Sequence, residues 1–548
     1  MLKKAFDCMG TTQEQYMLKV ALPLAFMGLF FPIIMLFILR GLLTGIFLYV
    51  LLLVPVLCIG LIFFYPISVM GAKRTQIDQN MHYYVTHMGV LAASNMGRKE
   101  VIHSLSTQEA YGYLAIETGR IYSLMNDWNL SLAQACRFIA KRTPSAIFSD
   151  FLDRLAHSAE AGEPFDQFIW TEQKVVMNEF DTMYKKSLGE IQMTKEIFIA
   201  MMTALIFLTS ISLIMPVITG MDPITLMAGS IVTFLGAEGV LVYFMKSKAP
   251  RDKIWHTLDI ETEADRFIRM SFPISIMGCA IVSILLILVG GGLPVTIMIA
   301  IALSPLAITG YYARREEEMI KRKDDNFPGF VRALGSTAGA RGGIIRDSLR
   351  NLTYHDFGPL TVDVNDLYKR LETRINKYMS WNYFAAGTGS NLIERFATIF
   401  AEGIDKGGKP EVIGEIIGDN FMKIISLRKL RYSLATSLVG EVYGLTGGIA
   451  FTMFLTLAIV KMLIDIFTNA NVPSGMSSII SLSSVVDINF LSLLLMTLMV
   501  GHSFLSAILL RAVDGGSIFN SYIHFVGMVW LSAISAELSF AAMVRLLG

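Results

Sequence analysis

The sequence predicts an all-α polytopic membrane protein, about nine transmembrane helices carrying two cytoplasmic helical-bundle domains. Three observations lead there. Apolar runs of membrane-crossing length recur along the chain. A polar, helix-patterned block at 73–196 follows one pair of such runs, and a second at 313–433 follows another pair. Charged residues make up only 17% of the chain, against ~25% in ordinary soluble domains, and mean hydropathy is +0.54.

The two blocks are an internal repeat. A shift of 246 positions lays Asn80 on Asn326, Gly89 on Gly335, Gly97 on Gly343, Thr107 on Thr353, Gly112 on Gly358, Tyr122 on Tyr368, Gly162 on Gly408 and Pro164 on Pro410. The flanking apolar runs keep the same order in both halves. Four spans per half restore the starting side, so the duplication is parallel, not inverted.

In chain order, residues 1–72 hold a basic head (Lys3, Lys4, Lys19) and two spans, at about 18–39 and 44–70. The first block, 73–196, opens at Lys73-Arg74. A span pair fills 197–245, turning at Gly220-Met221-Asp222-Pro223. The basic linker 246–270 carries Lys246, Lys248, Arg251, Lys253, Arg266 and Arg269. Another span pair occupies 271–312, and the second block runs over 313–433. The last region, 434–548, supplies three spans and a Ser-rich loop at 468–487 that lacks Lys and Arg. With the amino terminus inside, both blocks and the linker fall in the cytoplasm. The Ser-rich loop and carboxyl terminus fall outside, and only Arg40 and Arg545 sit near an outer end against the positive-inside rule.

Inside the blocks the period is helical. Phe148, Phe151, Leu152 and Leu155 form one apolar stripe, and Leu392, Ile393, Phe396, Ile399 and Phe400 form its counterpart. Thr143-Pro144 has the form of an N-cap followed by proline at the first helical position, and Ser131 with Gln134 has capping-box spacing. The turns at Gly162/Pro164 and Gly408/Pro410 close one helix and open the next.

Several enzymatic and metal chemistries lose out on residue type and spacing. Gly403-Ile404-Asp405-Lys406-Gly407-Gly408-Lys409-Pro410 matches a phosphate loop up to its last letter. A phosphate loop needs a preceding strand and a hydroxyl after the lysine; here a helix precedes and Pro410 follows, so a helix–turn–helix is expected. His82 and His87 are five apart, off one helical face, and with His103 lack a carboxylate to complete a metal set; core or solvated histidines are expected. No catalytic motif stands out, and no cofactor is implied. Cys8, Cys58, Cys136 and Cys279 show no close spacing, which argues against a disulfide framework or thiolate site. The first apolar run has full membrane length and no small-residue cleavage site, unlike a signal peptide. Acids Asp252, Asp259, Glu261, Glu263 and Asp265 interleave with the linker bases, which argues against nucleic acid; contact with anionic lipid headgroups is expected there instead.

Glu238, Glu441 and Glu537 lie within spans. A carboxylate at mid-span costs roughly 2.5–3.5 kcal/mol on the insertion scale, so each needs a reason. One reading is a proton or ion path, or a polar contact with a substrate helix; the other is a hydrogen-bonded glutamate joining helices. Glu441 falls in the small-xxx-small face Gly440–Gly444, which favours the joining role there.

Helical blocks with a turn such as Ala-Glu-Ala-Gly-Glu-Pro (159–164), flanked by spans and present twice, resemble the type II secretion F domain. Span number, the leading span pair and length are most similar to the platform family of the archaellum, the archaeal flagellum (FlaJ/ArlJ). Bacterial PilC-type platforms usually have three spans, and this chain departs from them. The resemblance implies a non-enzymatic platform of a type IV pilus-like machine in the cell membrane. It implies a hexameric secretion ATPase of FlaI/ArlI type beneath, pilin-like subunits (archaellins) as cargo, a homodimer, and a role in filament assembly and rotation. The platform of an archaeal adhesion pilus is a close alternative. The family supplies no contact motif, so the expected ATPase contacts rest on charge and place: Lys246, Lys248, Arg251, Lys253, Arg341, Arg346, Lys406 and Lys409. The rival from another class is an ion-coupled secondary transporter using Glu238 and Glu537. The large cytoplasmic insertions, the lack of broken-span signals and the scarcity of other intramembrane charges weigh against it.

Overall fold

The computed structural model describes residues 6, 13–28, 30, 46–94, 96–219, 221–289, 292–374, 376–469 and 488–547. The expected head at Lys3-Lys4, most of the first span, Arg40 and the outer loop beyond 469 lie outside the described residues. Every regular element among the described residues is a helix, and the sole β-pairing there is an isolated bridge between Trp255 and Ser390.

The first half contains α1 (Ile46–Ala92), α2 (Arg98–Ser106), α3 (Tyr113–Asn126), α4 (Leu132–Ala140), α5 (Ala146–Ala161) and α6 (Phe165–Thr219), followed by α7 (Pro223–Lys248). The second contains α8 (Glu263–Val289), α9 (Val295–Leu303), α10 (Leu306–Ala340), α11 (Ile345–Leu352), α12 (Thr361–Glu372), α13 (Lys377–Thr388), α14 (Asn391–Asp405) and α15 (Pro410–Asn469). α16 (Ile488–Asp514) and α17 (Ser521–Leu547) complete the chain. Helices α1 to α6 correspond one for one with α10 to α15, and a single 3₁₀ turn stands at the same place in each block (Glu109–Tyr111, Gly358–Leu360).

The repeat is built on the same local chemistry in both copies. Asn80 and Asn326 each donate from Nδ2 to the carbonyl four residues back. Ser145 caps α5 by accepting from Phe148 N–H and donates to Asp78; Ser390 caps α14 by accepting from Ile393 N–H and donates to Asp324. The aspartates are 246 apart and the serines 245, so one residue is lost between them in the second copy. That shorter register also superposes Phe151 on Phe396 and Leu155 on Phe400, all fully buried or nearly so. Both expected apolar stripes are buried throughout. The N-cap expected at Thr143 moves to Ser145, whose Oγ accepts from the N–H of Phe148 in the first turn; the Ser131–Gln134 capping box forms with both bonds.

Six helices among the described residues are long and apolar enough to cross a membrane: α6, α7, α8, α15, α16 and α17. The pair α9–α10 makes a seventh, bent by 46° at Ser304-Pro305. These seven match the expected spans from residue 197 onward. Pro305 brings no N–H and a ring that crowds the preceding turn, which accounts for the bend. The indole of Trp530 donates to Ser304 Oγ at 2.9 Å beside the break. The expectation that the spans carry no break is therefore corrected.

The chain forms two compact units: Met1–Phe180 with Ile399–Ile416, and Asp181–Thr398 with Ile417–Gly548. In the first, α1 to α5 pack around Tyr84, Phe148 and Phe151. In the second, the apolar core lies among the membrane helices and includes Phe198, Met202, Phe234, Phe454, Leu495 and Met499. Here α7 packs on α16, α16 on α17, and α17 also on α9 and α10.

Candidate functional site

Each intramembrane glutamate meets a polar partner on another helix. Glu238 of α7 is completely buried; both its carboxylate oxygens lie 3.0 Å from His502 Nδ1 on α16, and Ser506 Oγ donates to Oε1 at 2.9 Å. On the far side of the imidazole, Nε2 lies 3.2 Å from Thr446 Oγ1 of α15. Thr446 gives its own proton to the Val442 carbonyl at 2.8 Å, so its oxygen accepts from His502 Nε2–H. The network therefore ties α7, α15 and α16 at one depth. Glu441 pairs with Lys195 Nζ at 2.7 Å and accepts from Ser437 at 3.0 Å. That pair joins α6 to α15, the corresponding helices of the two halves. Glu537, half-buried on α17, accepts from Thr296 Oγ1 at the start of α9 at 2.7 Å.

The basic linker is less open than its charge suggests. Arg428 of α15, 2% exposed, grips Asp252 with two bonds of 2.7 Å, reaches Asp324 of α10 at 3.0 Å and donates to the Lys253 carbonyl at 2.9 Å. Asp324 also receives the Ser390 hydroxyl proton. Ile254 and His256 exchange backbone bonds with Asn391 and Gly389, Trp255 donates to Glu317 at 2.9 Å, and Thr257 donates twice to Glu394. Residues 252–257 thus form a strap across α10, α14 and α15. Burial pushes the Asp324 carboxyl up to about 6, although Arg428 and Ser390 pull the other way.

All eight basic residues expected to meet an ATPase are exposed. Lys246 and Lys248 end α7, where cations suit the helix dipole, and Lys248 pairs with Glu190 at 2.9 Å. Arg251 and Lys253 stand on the outward side of the strap. Arg341 donates to the Asp347 carbonyl at 3.2 Å and Arg346 pairs with the Asp347 carboxylate at 3.1 Å. These six belong to the larger unit; Lys406 and Lys409, in the turn between α14 and α15, belong to the smaller.

The two turns have the expected form with one shift. Gly162 is left-handed (φ 74°), with Glu163 N–H closing on the Ser158 carbonyl, and Pro164 precedes α6. In the second copy the left-handed residue is Gly407 (φ 84°), while Gly408 N–H closes on the Gly403 carbonyl and Pro410 begins α15. This follows from the lost residue, and it makes the string 403–410 a helix–turn–helix. Within the smaller unit Glu402, 6% exposed, accepts from Ser104 and from Gln108 Nε2 (2.7 Å), and lies 3.2 Å from His87 Nε2. Ser94 Oγ donates to the Gly403 carbonyl at 3.0 Å. Burial pulls the Glu402 carboxyl up, but His87 and Ser104 outweigh it and hold it below the usual range. His82 and His87 are core histidines, and no group of three potential metal ligands occurs among the described residues.

Sequence reasoning did not find His502, Arg428, Asp252, Asp324 or Glu402. A histidine inside an apolar run was a visible signal for His502. The others pair across long separations in sequence and left no local mark.

The sequence has known counterparts. Residues 84–213 match the family model for Type II secretion system (T2SS), protein F, which takes in the first bundle and the start of its span. Flagella accessory protein J of Methanocaldococcus jannaschii is 35% identical over 548 residues, covering 98% of this chain and 97% of that protein. The chain belongs to that family. Flagella accessory protein J of Methanococcus voltae is 34% identical over 539 residues, covering 96% and 95%. No solved structure matches the chain. As a member of the flagella accessory protein J family, the chain is a multi-pass membrane platform protein of a type IV pilus-like machine, the archaellum.

Proposed function

We propose that the chain couples a cytoplasmic hexameric ATPase of the FlaI/ArlI type to assembly, and to rotation, of an archaellum filament. The observation that carries this reading is the continuity of α6 and α15. Each runs unbroken from a polar bundle into an apolar span, over 55 and 60 residues. At 1.5 Å per residue they are levers of about 80 and 90 Å. Withdrawing an apolar helix of ~20 residues from a bilayer costs on the order of 6–12 kcal/mol, from roughly 0.3–0.6 per residue. The string 403–410 lacks the strand and hydroxyl of a phosphate loop, so this reading assigns the work to the partner. The chain itself acts as a platform rather than an enzyme.

In the same reading the amino terminus and residues 73–196, 246–270 and 313–433 face the cytoplasm, the carboxyl terminus faces outward, and two copies form the platform. Archaellins pass from the bilayer over its spans, and membrane lipids fill the remaining surface. The exposed bases Lys246, Lys248, Arg251, Lys253, Arg341, Arg346, Lys406 and Lys409 steer the ATPase. Purification from native membranes in mild detergent, with mass spectrometry of bound proteins, tests the reading. Recovery of a hexameric secretion ATPase supports it; charge reversal at several of the bases with unchanged recovery removes them from the contact.

A second reading, an ion-coupled secondary transporter, gains from the bent span at Ser304-Pro305 and from the buried Glu238–His502 pair. Substrate-driven proton flux in liposomes, absent in Glu238→Gln, supports that alternative.

A further inference from the structure

Four helices of the larger unit enclose a hollow of about 280 Å³ at the level where apolar spans give way to polar chain. They are α10 just past its span, the start of α15, the end of α16 and the start of α17. One wall is apolar, with Val439 and Leu510 inside the spans; the other holds Arg314, Glu318, Lys321, Arg511 and Asp514. Along α10 the polar wall runs from Arg314 to Lys321, a rise of about 10 Å, enough to cross the roughly 5–8 Å of a headgroup layer.

The polar wall has capacity to spare. Arg314 uses only Nε, toward Glu318 at 3.3 Å, and Arg511 uses only Nε, toward the Gly516 carbonyl at 3.2 Å; the Nη nitrogens of both guanidiniums are unengaged among the described residues. Asn520 Nδ2 donates to Glu317 at 2.6 Å, which fixes the amide, and leaves Oδ1 buried without a donor. Asp514 meets only Lys321, at 3.3 and 3.4 Å. Glu317 is satisfied by Trp255, Ser517 and Asn520. In all, three bases face three carboxylates around the hollow. A purely anionic ligand would meet as much repulsion as attraction there. A ligand with both a phosphodiester and an ammonium finds partners for each: arginine forks for the phosphate oxygens, Asp514 and the Asn520 oxygen for the N–H donors. Pockets of this kind between spans, at the membrane surface, suit lipid headgroups.

We propose that this hollow binds the headgroup of one phospholipid whose phosphate carries a primary amino alcohol. The phosphate rests on Arg314 and Arg511, the ammonium on Asp514 and Asn520, and the first methylenes of the chains on Val439 and Leu510. The test is mass spectrometry of the purified full-length chain released from detergent, with melting curves, after addition of defined lipids. A phosphoethanolamine lipid is expected to stay bound and to raise the melting temperature. Arg314→Gln and Arg511→Gln each weaken its retention by about tenfold, the worth of a charge-assisted contact. Arg511→Lys, which keeps the charge but not the fork, recovers part of that loss. Arg269→Gln, at an exposed base of α8 just before its apolar run, leaves retention unchanged. Equal retention by wild type and both glutamine variants overturns the site. Equal retention of a phosphocholine lipid, whose quaternary nitrogen has no N–H to give, or of a phosphoglycerol lipid, which has no amine, overturns the assigned headgroup. Stabilisation by inorganic phosphate or by glycerophosphoethanolamine as strong as by the lipid assigns the hollow to a soluble phosphate and overturns the lipid.

Discussion

Glu238 and His502, 264 positions apart, meet inside the membrane bundle with neither side chain exposed to solvent. Because Thr446 commits His502 Nε2 to donating, Nδ1 is the ring nitrogen that faces the Glu238 carboxyl, to which Ser506 also donates. Removing one partner leaves the other polar and alone in a low-dielectric core, at roughly 3–5 kcal/mol. His502→Leu is expected to lower the detergent melting temperature clearly. The double variant Glu238→Leu/His502→Leu recovers most of the loss, since apolar replacement of a whole buried pair is close to neutral. Equal damage in the single and double variants would show that the pair is not coupled.

Arg428 is expected to be the most sensitive single position of the strap. Arg428→Met leaves Asp252 and Asp324 facing each other, a loss of roughly 3–5 kcal/mol. Limited trypsin digestion at Arg251 and Lys253 should then be faster than in the wild type.

Asp324 and Glu402 should respond to pH in opposite directions. The folded state raises the Asp324 carboxyl to about 6 from an ordinary value near 3.8, so between those values it binds the proton more tightly than the unfolded chain does. Stability from this group is present at low pH and declines as pH rises through about 6. Glu402 is held below its ordinary value, so its contribution is present above that value and is lost as pH falls through the folded one. Melting curves of Asp324→Asn should lack the decline between about pH 4 and 6. Those of Glu402→Gln should lack the acid-side loss, and amide exchange over 399–416 should quicken.

Gly403 needs its missing side chain for packing: a Cβ there would fall 2.2 Å from Val90 Cγ1. Gly403→Ala is expected to cost about 1–3 kcal/mol through overpacking. Gly407→Ala should cost about 1–2 kcal/mol, through its left-handed φ. ATP affinity, measured by equilibrium dialysis, should be absent in wild type and both variants.

Much of the architecture was legible because hydrophobic period and turn chemistry are local. The stripes Phe148–Leu155 and Leu392–Phe400, the capping box at Ser131 and the spans after residue 197 all rest on residues near one another. The repeat was legible too, but only at its glycines, asparagines and prolines; the one-residue loss emerged from Ser145 and Ser390, whose partners are Asp78 and Asp324. What stayed hidden depends on distant pairs. Glu238 was visible as an anomaly, whereas its answer, His502, lay in another half of the sequence. The linker read as a basic loop because Asp252 looked like one more interleaved acid until Arg428 gave it a partner.

The central claim is that ATP turnover by a partner is coupled to this chain. The direct measurement is ATP hydrolysis by the purified hexameric secretion ATPase, with and without the full-length chain in proteoliposomes. The account predicts that the chain raises the turnover several-fold. Turnover unchanged by the wild-type chain, with the ATPase active and the chain folded, would contradict it.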